Sequence, residues 1–477
     1  MPETALLLDA SVVERVLAGA LRRGGDFAEL FAEDRRASSA SLDDTRVEEL
    51  ASGHDRGAGI RVVVGETTGF AHTADLSEAG LAAAAEAAAA VARGSGGGTR
   101  TVALQTEPAG RRTSAEGVVV YPGDVAKSAK VELLARADAA ARTQSGSIRQ
   151  VSVGYGDSRR RMMVANSEGL VASDEQVRTR LAVSCVAVGD TGMQTGFESV
   201  AHTVGFELFD PGAHGGVDVE DIAAEAARRA LSKLSARPAP SGVLPVVLKG
   251  GTGGILFHEA CGHGLEADHI VKDTSVYAGR VGELVASPLV TLVDDGTVGG
   301  EWGTFSVDDE GRAAQRNVLI ENGVLSEYMW DWLRAHREGR ASSGNGRRQS
   351  YQHLPMVRMT NTFLLAGTED PDELVAQTPY GVYVAKLGGG QVNTATGDFV
   401  FGMTEAYLIQ GGHITEPLRD ANLIGNGPEV LRRIDAVAYD FAMCPGTCGK
   451  DGQSVPVGCG QPTLRISGVT VGGTAGA

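Results

Sequence analysis

The chain lacks the paired cysteines of a secreted, disulfide-built scaffold. Its 477 residues hold five cysteines, Cys185, Cys261, Cys444, Cys448 and Cys459. An odd number in a long chain fits thiols or metal ligands better than a disulfide framework. Positive charge is scarce as well. A formal net charge of −17 opposes nucleic acid or an anionic membrane as the main partner. No apolar run approaches the roughly 18 residues of a membrane span, and the Ala-rich stretch 81–92 is broken by Glu86 and reads as an amphipathic helix. The start, Met1-Pro-Glu-Thr-Ala-Leu-Leu-Leu-Asp9, has no basic region before its short apolar run, unlike a secretory signal. Together these absences place the expectation in the cytoplasm. There is no Walker-type phosphate loop, and Gly425-Asn-Gly427 and Gly449-Lys-Asp-Gly452 are too weak to stand in for one.

What is present is an ordinary globular composition, 42% hydrophobic and 22% charged, in a chain long enough for two or three domains. Helical spacing over 9–24 ends at Gly24-Gly25. Short strands are expected at 28–32, 47–50 and 59–64, the last entering a hairpin at Gly65 that returns through 69–73. Helices are expected at 77–93, 123–144 and 218–234, with a Gly/Thr/Ser-rich loop or linker over 95–121. Strands near 148–155, 160–166, 178–188 and 193–204 fill the interval. Ala236-Arg-Pro-Ala-Pro-Ser-Gly242 is the preferred boundary. Beyond it the chain reads as mostly β, with hairpins at Asn322-Gly323 and Gly411-Gly412, a glycine run Gly388–Gly390 before a strand, and a short helix near Val430. The fold class is α+β. An N-terminal α/β region, 1–235, packs Ala-rich helices on antiparallel strands and is divisible near 95–121; a mostly β C-terminal domain, 242–477, carries one H-E-x3-H helix.

Chemistry concentrates in Gly250-Gly-Thr-Gly-Gly-Ile-Leu-Phe-His258-Glu259-Ala-Cys261-Gly262-His263. Two imidazoles can hold a metal while a carboxylate beside them takes a proton from water. The preceding Val243–Leu248 run reads as a buried strand, two glycines as a turn, and Thr252 as a helix cap. The spacing is unusual. Five residues rotate a regular helix by about 500°, which leaves the second ring about 140° from the first. One inserted residue, as in a π-bulge, brings positions i and i+5 back together, and Gly262 eases such a distortion. In a regular helix the two histidines would be unrelated core residues.

A catalytic zinc takes three protein ligands and leaves a position open. Spacing alone leaves Cys261, Glu266, Asp268, His269, Cys444, Cys448 and Cys459 as candidates for the third. Cys261 would crowd the same distorted turn. Cys444-Pro-Gly-Thr-Cys448-Gly-Lys450 reads as a glycine-rich loop able to bring a thiolate to a metal held elsewhere, or as a plain surface turn.

With those residues in view, the chain resembles the TldD/PmbA family of zinc metallopeptidases, on its TldD-like, motif-bearing side. The resemblance rests on Leu256–Asp268, Gly344–Tyr351, Arg358–Thr362, Gly388–Asn393, Gly397–Phe401, Cys448–Gln453 and Val457–Thr463, and more loosely on Gly59-Ile-Arg-Val and Gly69-Phe-Ala. It implies that His258 and His263 bind zinc, that Glu259 is the catalytic glutamate and that Cys448 is the third ligand; Cys459 is left as packing. It also implies a partner, a PmbA/TldE-like paralogue without the H-E-x3-H residues. The expected activity is hydrolysis of unfolded or short peptides, with zinc and Glu259 activating water and with His353, Arg358, Tyr351 or His413 as oxyanion donor. Three alternatives stand beside it: a non-catalytic assembly subunit, a cysteine hydrolase built on Cys261 or Cys448, and a metal-dependent amidase acting on small molecules.

Overall fold

A computed structural model describes residues 6–92, 101–105, 113–190 and 192–473. Much of the expected 95–121 linker lies outside these residues. The strands of the N-terminal half are β1 (Phe27–Asp43), β2 (Arg46–Val64), β3 (Thr67–Thr73), β4 (Ile148–Asn166), β5 (Val171–Gly189) and β6 (Gly192–His202). They form one six-stranded antiparallel sheet of order β3-β2-β1-β4-β5-β6. The helices α1 (Ala10–Ala20), α2 (Glu78–Ala92), α3 (Lys127–Thr143) and α4 (Val219–Leu234) match the sequence periodicity. Asp9 caps α1 by accepting from the Ser11 and Val12 amides.

All four helices lie on one face of this sheet. Leu30, Ala32, Ile60 and Met163 pack under α1 and α2, while Ala40, Leu42, Val153, Leu181 and Val183 pack under α3 and α4. Alternation along the strands turns the other face toward the C-terminal half. That face is charged where it meets its neighbour. Arg61 lies 2.7 Å from Glu29 and 2.9 Å from Glu310, and Arg160 lies 2.8 Å from Glu33 and 2.9 Å from Asp309. Arg348 bonds Glu29 from the far side, and all of these side chains are largely buried.

The C-terminal half holds two further sheets. The first contains β9 (Leu292–Asp295), β10 (Arg316–Glu321), β11 (Val324–Leu325), β14 (Asn361–Leu364), β20 (Ala442–Lys450) and β21 (Gln453–Gln461), in the order β11-β10-β9-β14-β21-β20. The second contains β7 (Arg237–Pro238), β8 (Gly242–Leu248), β15 (Tyr380–Val392), β16 (Asp398–Gln410), β17 (His413–Arg419), β18 (Ala421–Asn426) and β22 (Leu464–Gly472), with β19 (Ile434–Val437) paired to β22. Its order is β15-β8-β22-β18-β16-β17-β7. A two-stranded ribbon joins β12 (Gly346–Arg347) to β13 (Met356–Val357). The architecture is α+β with a mostly β C-terminal region.

Several expectations change in detail. The strands expected at 148–155 and 160–166 are one strand, β4, because its polar middle keeps pairing with both neighbours. Gly388–Gly390 lies inside β15, at a register irregularity, rather than ahead of a strand. Cys444–Val457 is a β-hairpin, not a loop, closed at Asp451 (φ 48°) and Gly452 (φ 75°). Thr252 does not cap the following helix; its hydroxyl accepts from the Leu387 amide at 2.7 Å.

Replacing Arg61 with leucine strands Glu310 without its buried counter-charge and leaves Glu29 with Arg348 alone. Loss of one partner of such a pair costs about 3–5 kcal/mol, so denaturant unfolding of Arg61→Leu is expected to show a stability loss of that order.

Candidate metal centre

β8 delivers the chain into a turn at Lys249–Gly253, and a short α-helical turn follows at Gly254–Phe257. His258–Gly262 is then a π-helical turn, closed by the His263 amide donating to the His258 carbonyl. A 3₁₀ turn, His263–Leu265, ends the segment. The segment packs against β14, β21 and β15. Two glycines permit that fit. A Cβ on Gly254 would meet the Cys459 carbonyl carbon at 2.5 Å, and one on Gly262 would meet Met359 Sδ at 2.1 Å.

The π turn brings the two imidazoles together, with ring centroids 5.1 Å apart and planes at 82°. Cys448, on β20, completes the group: one ligand-type atom each from His258, His263 and Cys448 lie within 4.8 Å of one another, and all three residues are buried. Cys448 Sγ is 3.4 Å from His263 Nε2. Both ring nitrogens of His258 are buried and have no hydrogen-bond partner among the described residues, which is costly for polar atoms unless something else binds them. Glu259 stands beside this group, its carboxylate 3.7 Å from His263 Nε2 and its side chain 24% exposed.

The electrostatics follow from this packing. Burial opposes the Cys448 thiolate, yet His258 and His263 outweigh it and push the thiol down to about 4. Burial likewise opposes charge on His263, but Glu266 and Cys448 push it up to about 9. His258 is raised despite burial, by Cys459 and Cys448. Cys459, read from sequence as packing, shares the buried face of the hairpin with Cys448, Val455 and Val457. Strand alternation from Cys448 through the hairpin is the signal that locates it.

The other candidates take different places. Glu266 accepts from His263 Nδ1 at 2.8 Å, and Lys450 Nζ bridges Glu266 (2.9 Å) and Asp268 (2.7 Å). Glu266, Asp268 and His269 form a second acidic group, already holding that ammonium. Burial pushes the Cys261 thiol up to about 12, beside Tyr277. Cys444 is partly buried near Lys386. Arg358 donates to the carbonyls of Cys448 (2.6 Å) and Gln453 (3.3 Å), bracing the hairpin. Tyr351 packs over Gly57, His353 bonds Ser350, and His413 is exposed at the start of β17.

The chain matches known proteins over most of its length. Three consecutive family domains match: PmbA/TldA metallopeptidase domain 1 over residues 28–92, the central domain over 120–234 and the C-terminal domain over 241–473. The chain belongs to the PmbA/TldD metallopeptidase family. A metalloprotease TldD homolog of Haemophilus influenzae is 40% identical over 95% of this chain and 94% of its own length. One from Buchnera aphidicola is 38% identical over 94% and 93%. The crystal structure of TldE from Thermococcus kodakarensis shares the fold, with a TM-score of 0.78 at 21% identity over 96% of this chain and 99% of that one. No helix among the described residues is long and apolar enough to cross a membrane.

Gly262→Ala forces Met359 and the π turn apart. Overpacking of this kind costs about 1–3 kcal/mol, and thermal unfolding of the variant is expected to show that loss.

Proposed function

We infer that the chain is a zinc-dependent peptidase, with His258, His263 and Cys448 as ligands and Glu259 as general base. The observation that carries this reading is the buried triad, with the unpartnered nitrogens of His258 and a partly exposed carboxylate beside it. Two imidazoles and a thiolate suit zinc, whose sites accept nitrogen and sulfur donors together. When bound, zinc lowers the pKa of water and polarises a carbonyl. Glu259 takes the proton of the attacking water on a carboxylate oxygen and delivers it to the leaving amine. Glu266 fixes the His263 ring through Nδ1, leaving Nε2 toward Cys448.

Substrates are unfolded or short peptides. β20 ends its sheet, and an extended peptide can pair with such an edge through its backbone. The family resemblance extends the reading to a paralogous partner subunit without the motif, and the unpaired cysteines extend it to a cytoplasmic setting. A cysteine hydrolase on Cys261 is disfavoured by its buried, raised thiol.

Glu259→Gln is expected to bind zinc as the wild type does while losing peptide hydrolysis by a factor of about 10² or more. Chelation should abolish wild-type hydrolysis and zinc should restore it. Undiminished turnover in Glu259→Gln would remove the assigned base, and a chelator-resistant, alkylation-sensitive activity would favour the thiol alternative.

A further inference from the structure

The charged face of the N-terminal sheet does not touch the C-terminal half everywhere. Along cross-strand rows of β2, β1, β4 and β5, Gly53, Ala37, Ser158 and Arg178 are neighbours, as are Ala51, Ser39, Gly156 and Arg180. The small residues leave a floor without bulk. Above it lies a cavity of about 420 Å³, closed on the other side by Arg347 and by Thr447, Ser454 and Pro456 of the β20–β21 hairpin. That volume is in the range of small-ligand sites. Thr447, Ser454 and Pro456 alternate with Cys448, which does not line the cavity, so the cavity lies on the opposite side of the hairpin from the metal-type triad.

Its walls are cationic in a protein of net charge −17. Among the described residues Arg178 donates to the Trp302 and Thr304 carbonyls and to the Gln176 side chain, at 3.2, 3.0 and 2.6 Å. Arg347 donates to the Met359 and Pro456 carbonyls, at 2.6 and 2.8 Å, and lies over the Phe305 ring. Among the described residues neither has a carboxylate partner, although Arg178 is 7% and Arg347 4% exposed. Arg160, which also lines the cavity, pairs with Glu33 and Asp309 but keeps Nη2 buried and without a partner among the described residues. Arg35 and Arg180 add charge at the rim. Burial, then the like charges of Arg347 and Arg160, push Arg178 down to about 9. Buried cations of this kind are stable only when compensated.

The geometry points to a carboxylate-binding site in this cavity, independent of the metal-type centre. Guanidinium groups present paired donors that match a carboxylate, and the Ser158 hydroxyl on the floor can donate a further hydrogen bond. Asp308 and Asp309 also line the cavity and oppose a more highly charged anion. The carboxylate can come from a free small acid, an acidic side chain or a peptide C-terminus.

The test is calorimetric titration of the full-length protein with glutarate, with a short glutamate-bearing peptide whose C-terminus is free or amidated, and with inorganic phosphate. Saturable binding of at least one carboxylate, weakening as salt rises, is expected. Arg178→Gln and Ser158→Phe should each weaken it about tenfold or more, and the exposed change Arg35→Gln should weaken it with the fold intact by circular dichroism. Which carboxylate probes bind identifies the source. Absence of saturable carboxylate binding, binding of phosphate alone, or affinity unchanged in all three variants overturns the assignment.

Discussion

The π turn closed by the His263 amide on the His258 carbonyl sets the geometry of the centre. In a regular helix the two rings would diverge by about 140°. The π turn adds the residue that brings them onto one side, 5.1 Å apart. The turn is held by its surroundings: Met359 against Gly262, β21 against Gly254, and Glu266 on the His263 ring.

The third member arrives 185 residues beyond His263, and the motif residues around it explain how it is aimed. Asp294 accepts from Asn345, Thr360 and Thr362, tying β9 to the segment before β14. β14 pairs in parallel with β21, and Arg358 bonds the Cys448 carbonyl directly. Lys450, at the hairpin end, anchors to Glu266, which in turn orients His263. The motif residues outside the triad therefore form a frame that fixes the hairpin relative to the π turn.

Parts of this are legible in the sequence for physical reasons. H-E-x3-H announces a distorted helix because no regular one can use both rings, and the helices follow from periodic apolar positions. Cys448 is not separable from other thiols by spacing, since its place depends on a hairpin whose glycines and Asp451 resemble a loop. The long strand β4 reads as two fragments, and β5 as a shorter strand at 178–188, because their polar stretches face a charged layer and a cavity rather than a core. Pairs such as Glu29 with Arg348 are invisible locally, being 319 residues apart.

The most direct test of the centre is zinc X-ray absorption on the zinc-loaded protein. The account predicts two imidazole nitrogens at ~2.0–2.1 Å and one sulfur at ~2.3 Å, with the sulfur shell lost in Cys448→Ser. A zinc site without sulfur, or with only one imidazole, would contradict it.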